Sequence, residues 1–301
     1  MLQLPKPLAN LLKAGVLVAT FIGGNFVFAS AAHASENAAV SKAHLSLASE
    51  LFEISGLEQM VNAVPEATRS SFEEALASRM VPGLMAELEP SALLSAVSTA
   101  FNAKDLSRTI EQSIAQSMSQ VQLDALVQWY QSPLGLRVVA AETQQSQLLY
   151  PEKFIEFQQQ LSLKPPTEER IEAIRRLDEA MSVTTSAVEA MLNMQMAFTL
   201  SIMKALPEDK QVPADVIIAQ SEAQRPLLEA HYRDLSRDSM LFTYQDFSIE
   251  ELHELGSIMR EPAGGQFVDA INKGLEKGIF DASATLGELI VQLHHYQQSS
   301  I

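Results

Sequence analysis

The chain has 301 residues, no cysteine, and 21 basic against 37 acidic side chains, for a formal charge of −16. The missing cysteines exclude disulfides, thiolate metal sites, cysteine nucleophiles and a lipid-modified amino-terminal cysteine, and the negative charge opposes nucleic acid and anionic headgroups. A hydrophobic content of 47% supplies a proper core, and the length fits one large domain or two of ordinary size.

In chain order, the first element is a leader. Lys6 and Lys13 precede an uncharged apolar run over 14–32, which closes on Ala32-His33-Ala34. A basic start, an apolar middle and a small-x-small end predict a signal peptide over 1–34, cut after Ala34, and so a periplasmic protein. An uncleaved anchor is the competing reading, because the run approaches the ~20 residues a spanning helix needs; Asn25 and the Gly23-Gly24 pair weigh against it. Cleavage leaves 19 basic against 37 acidic residues, a charge of −18. No integral membrane segment is expected afterwards: the most apolar later stretch, 187–206, still holds Glu189, Asn193, Gln195 and Lys204.

Beyond the leader, sparse glycine, prolines at segment edges and long stretches rich in Ala, Leu, Glu, Gln and Met predict an all-α protein. Helices are expected near 38–54, 57–63, 66–79, 90–101, 105–117, 120–131, 133–149 and 151–161, then near 168–181, 184–205, 214–224, 226–245, 249–260, 262–276 and 282–297. Lys164-Pro165-Pro166 separates the two sets, and Thr167 is placed to cap the next helix, with Glu168 and Glu169 in its first turn.

The two sets are related. At an offset of 129, residues 118–141 align without a gap on 247–270 and are identical at seven of 24 positions, among them Ser119/Ser248, Leu123/Leu252, Leu126/Leu255, Pro133/Pro262 and Gly135/Gly264. These positions together specify a structure. Ser119 with Gln122, and Ser248 with Glu251, make the S-x-x-E/Q capping box, while Met118 and Phe247 are set to staple onto Leu123 and Leu252. The helix that follows carries an apolar stripe: Leu123, Leu126, Val127 and Tyr130 in the first case, Leu252, Leu255 and Met259 in the second. Each stripe ends at a proline that suits the first position of a new helix. Gly135 and Gly264, two residues on, are expected to remove a side chain where a returning helix passes closest. The predicted architecture is a multi-helix array or bundle of two tandem, related helical repeats, 35–164 and 167–301.

The string Leu126-Val127-Gln128-Trp129-Tyr130-Gln131-Ser132-Pro133-Leu134-Gly135, behind the Ser119 cap, resembles the signature of a bacterial domain of unknown function found in exported proteins, a helix ending in Phe-Tyr-x-Ser-Pro-x-Gly. Trp129 replaces the phenylalanine. The second copy, Ile258 to Gly264, departs further, and the segment from Leu51 to Met60 is similar to that family's opening. The resemblance implies a helical, envelope-associated protein and adds no chemistry.

Each candidate site has a structural reading beside it. Trp129 and Tyr130 continue the apolar stripe, and Ser132 precedes a proline as a helix cap does. Ser201 and Lys204 fit S-x-x-K but lack the companion S-D-N and K-T-G elements. Met191, Met194 and Met196 offer thioethers to cuprous copper, yet at ~100° per residue Met196 points away from Met194, and the helix reads as a buried central one. His231, Asp234 and Asp238 share a helical face without H-E-x-x-H or a third histidine, and His294-His295 point apart. The paired carboxylates Glu73-Glu74, Glu168-Glu169 and Glu250-Glu251 fit polar faces or first turns. No catalytic, cofactor or metal residue is assigned, and no cofactor is expected. The reading is a non-enzymatic binding or scaffold protein whose partner is another envelope protein or an apolar ligand. The alternatives are a carrier of an apolar small molecule or lipid between helices, and an unrecognised enzyme.

Overall fold

The computed structural model describes residues 41–78, 85, 87–145, 150–205 and 211–299, so the expected leader and its expected cleavage site lie outside the described residues. Those residues are helical with no strand among them, an all-α multi-helix array. In the N-terminal part the helices are α1 (Lys42–Ile54), α2 (Leu57–Ala77), α3 (Pro90–Ala100), α4 (Ala103–Ser117), α5 (Gln120–Tyr130), α6 (Pro133–Gln144) and α7 (Pro151–Leu163). The C-terminal part holds α8 (Glu168–Met181), α9 (Val183–Ala205), α10 (Ala214–Glu222), α11 (Arg225–Thr243), α12 (Ile249–Arg260) and α13 (Pro262–Ser299).

Local chemistry sets several of the starts. Ser41 and Thr167 accept from the amides of His44 and Arg170, and Asn102 accepts from Lys104 and Asp105. Ser119 and Ser248 form complete capping boxes with Gln122 and Glu251. Such caps satisfy donors that the first helical turn leaves orphaned.

Two expected breaks are absent. The segments 57–63 and 66–79 are one helix, α2, which runs through Pro65 and ends at Ala77. Val61, Val64, Thr68 and Phe72 keep a buried face continuous across the proline, so packing outweighs the lost hydrogen bond. Likewise 262–276 and 282–297 form the single 38-residue helix α13, about 57 Å long. Its would-be gap is bridged by a Lys277–Asp281 ion pair and by Thr285, whose hydroxyl donates to the Asp281 carbonyl.

α13 is the spine of the molecule, packed along α4 and α3 on one side and α9 on the other. The close approach to α4 requires Gly274, where a Cβ would stand 2.6 Å from Ile110 Cα. α9, expected to be the buried central helix, is only half-covered past Leu192: Met196, Leu200, Ile202 and Met203 all keep partial exposure.

The chief cores are built reciprocally. The first contains Leu51, Val61, Ile110, Ile114, Leu123 and Leu126 from α1, α2, α4 and α5, and it also takes Phe267, Ala270, Ile271 and Leu275 from α13. The second contains Ile174, Leu177, Met240, Leu252 and Leu255 from α8, α11 and α12, with Val138 and Ala141 from α6. Val138 and Phe267 are 129 residues apart, as are Ala141 and Ala270, and Leu134 and Ala263 follow suit at the cluster edges. Val139 and Val268, one residue along, each pack into the core on their own side of the chain. α6 and α13 thus each bridge both cores and cross to the opposite one through matching positions.

Candidate functional site

The sequence-predicted positions fall into this framework. Met118 and Leu123 are buried together in the first core, as are Phe247 and Leu252 in the second. Leu126 and Tyr130 are buried in the first, while half-buried Trp129 packs against both. In the second core Leu255 is fully buried. Ser132 caps α6 by accepting from the amide of Gly135, and Pro133 and Pro262 open α6 and α13. At Gly135 an added Cβ would lie 2.2 Å from the Trp129 carbonyl oxygen, and at Gly264 it would lie 2.1 Å from that of Ile258. The clash is therefore with the last turn of the helix just ended, rather than with a helix returning from elsewhere. Both corners are too tight for any side chain.

The other candidates are occupied structurally. Ser201 donates to the Ala197 carbonyl and sits under α13, where a Cβ on Gly287 would be 2.7 Å from Ser201 Cβ. Met191 is buried beside Tyr232, while Met194 and Met196 are half-exposed. Asp234 and Asp238 both pair with Arg237, and no group of three or more His, Asp or Glu placed to hold a metal occurs among the described residues.

A different cluster emerges where the end of α6 meets α8 and α11. Tyr244, at the C-cap of α11, donates its hydroxyl to Glu142 Oε1 of α6 at 2.6 Å, with the Met181 sulfur 3.9 Å from that hydroxyl. Glu142 is partly exposed as a residue, but its carboxyl lies inward; burial raises it to about 7, only partly offset by the Tyr244 hydrogen bond. Burial, with Glu142 second, also lifts the phenols of Tyr244 and Tyr130. Tyr130 meets Trp129 edge-on at 4.7 Å between ring centres and Phe267 at 5.9 Å, so the cluster reaches from one core to the other.

Its rim is polar and equally cross-linked. Gln145 donates to Asp246 at 3.0 Å and accepts from Gln245 at 3.1 Å, while the Thr243 hydroxyl donates to the Gln145 carbonyl. Arg170 donates to the carbonyls of Tyr244 and Phe247 at 2.6 and 2.8 Å, closing the turn between α11 and α12. The corresponding place in the N-terminal part has His44 Nε2 3.0 Å from the Ala115 carbonyl. Arg137 of α6 forks onto Glu251, the capping-box acid of α12, and lies 4.8 Å from the ring centre of Phe247. Gln122, the equivalent box residue of α5, donates instead to the carbonyl of Pro262 at 3.3 Å. Each capping box therefore also ties down the helix arriving from the other part.

Glu142, Tyr244, Arg170 and Arg137 were not evident from the sequence. The aligned stretch 118–141 ends one residue before Glu142. Extending the same offset pairs Glu142 with Ile271 and Tyr244 with Ala115, an exchange of polar for apolar at two positions that meet in space.

Fold and junction together define a class: an all-helical protein whose two cores are completed by each other's corner helices, with a buried carboxyl at one of the crossings. Residues 104–153 match the model of a family described as an uncharacterized protein conserved in bacteria (DUF2059). The match spans α4, α5, α6 and the start of α7, and so includes the first capped helix and its proline corner; residues 51–60 and the second corner lie outside it. No curated protein and no solved structure matches the chain.

Proposed function

We propose that the chain is exported, loses residues 1–34 after Ala34, and works in the periplasm as a non-enzymatic binding or scaffold protein built from two divergent copies of one helical unit, 35–164 and 167–301. The basic start, apolar run and Ala-His-Ala close support export. The duplication is supported by the two capping boxes, the two glycine corners and the reciprocal core positions 129 residues apart.

One observation carries the binding or scaffold reading: the polar side chains that stood out as chemical candidates are used to hold the fold. Ser132 and Ser201 are engaged with backbone groups, and Asp234 and Asp238 with Arg237. Affinity capture on the protein from its own cell envelope tests the reading. A specific companion protein is expected, and recovery of the bare chain alone counts against it.

A second reading, a carrier of an apolar small molecule or lipid, has its own observation. Met196, Leu200, Ile202 and Met203 leave α9 half-covered, and the described residues contain no helix long and apolar enough to cross a membrane that would explain such a surface. Native mass spectrometry separates the two: a bound apolar adduct supports the carrier, and the bare chain mass removes it.

A further inference from the structure

We propose that Glu142 and Tyr244 form a proton-operated latch: with Glu142 protonated, α6 stays seated in the second core, and loss of that proton loosens α6 while the seat of α13 in the first core stays shut.

The geometry places a carboxyl at the one point where α6 crosses into foreign territory. Val138 and Ala141 fix the helix in the second core, and Glu142 follows directly, bonded to Tyr244 at 2.6 Å. The groups facing it come from each packed element. α5 presents the phenol of Tyr130, α11 ends in Tyr244, and α8 presents the thioether of Met181. α12 and α13 add Met259, Leu255 and Val268 to the surrounding cluster, and α7 adds Phe157 and Leu161. Arg170, also on α8, is committed to the carbonyls of Tyr244 and Phe247, and Asp246 to Gln145. A protonated carboxyl fits this apolar setting; a carboxylate carries its charge with one phenolic donor among the described residues for support.

The other crossing lacks the device. Ile271 and Ala115 occupy the matching positions, both buried in the first core, and neither titrates. The Glu142 proton therefore acts on the α6 seat; on α13 the carboxyl of Asp269, also raised by partial burial, belongs to an exposed residue. With burial holding the closed carboxyl at about 7 against 4.5 for the free group, the opening equilibrium of α6 rises about ten-fold between pH 6 and pH 8.

Hydrogen exchange on the purified chain, corrected for intrinsic rates and read by mass spectrometry across that range, tests the latch. Amides over 138–145 are expected to lose protection about ten-fold while those over 267–274 hold theirs, and Glu142→Gln is expected to flatten the profile. A parallel loss in both segments, or an unchanged loss in Glu142→Gln, overturns the proposal. Should Glu142→Gln not fold, Glu142→Ile installs the side chain that already fills the matching position, and the same two outcomes apply. Tyr244→Phe removes the donor that favours the charged form, so the midpoint must move to higher pH; a midpoint that stays in place also overturns the latch.

Discussion

Where α13 enters the first core it brings Ile271 into a cluster that includes Ala115; where α6 enters the second, Glu142 and Tyr244 stand at the matching positions. The two crossings otherwise share their parts: a capped helix, a proline corner, a glycine that admits no Cβ, and paired positions on the inserted helix. At the matching pair of positions one crossing has apolar contact, and the other has a hydrogen bond inside an apolar wall. The same backbone plan thus supports a seat closed by Ile271 and one closed by a carboxyl that can take up a proton.

The largest expected effect concerns what the crossings share. Gly135→Leu and Gly264→Leu each force a side chain into the carbonyl of the preceding turn, so each is expected to cost about 3 kcal/mol or more and to abolish a cooperative melting transition. Similar losses in the two variants preserve the equivalence of the corners; a mild effect at one alone breaks it.

Next comes the feature that distinguishes them. A carboxyl raised from 4.5 to about 7 on folding contributes stability that is fully present below pH 4.5 and is lost as pH rises through 7. The loss approaches about 3 kcal/mol above pH 8, and Glu142→Ile is expected to remove that component from chemical-denaturation curves measured across the range.

Arg170→Met leaves two carbonyls at the turn between α11 and α12 without their donor and is expected to cost about 2 kcal/mol. His44→Leu, at the matching place, loses a single contact and is expected to cost about 1 kcal/mol or less. Equal costs would show that the second turn depends no more heavily on its anchor than the first. The caps bring effects of a similar, small size. Ser119→Ala and Ser248→Ala should each cost about 1 kcal/mol, with Ser248→Ala the larger because Glu251 also holds Arg137.

Much of this was legible in the residues because it is local. A serine with an acceptor three positions on makes a capping box whatever surrounds it, and the apolar stripes of α5 and α12 had to face a core. The expected breaks are absent because at Pro65 packing outweighs the local signal, and along 277–281 the Lys277–Asp281 pair and the Thr285 hydroxyl carry the helix on. The glycine corners were legible as constraints, but the atoms they avoid belong to the turn just before them. Least accessible was the junction itself. Glu142 and Tyr244 are 102 residues apart, and nothing in the immediate neighbourhood of either marks it as buried. Only their replacement by Ile271 and Ala115 at the same offset carries a trace of the site.

The exchange of corner helices also sets the length of the loops that folding must close. The first core joins residues of α1 to residues 267–275 of α13. Without α13, Leu51, Ile110 and Leu123 have no Phe267 or Ile271 to close on, so the N-terminal part completes its core only with a helix from the C-terminal part. Closure draws shut long loops, such as the one between Tyr130 and Phe267, at an entropic cost that grows with the logarithm of loop length, and contacts of such high sequence separation slow folding. The finished molecule is correspondingly hard to take apart in stages, since releasing either part requires withdrawing a helix from the other.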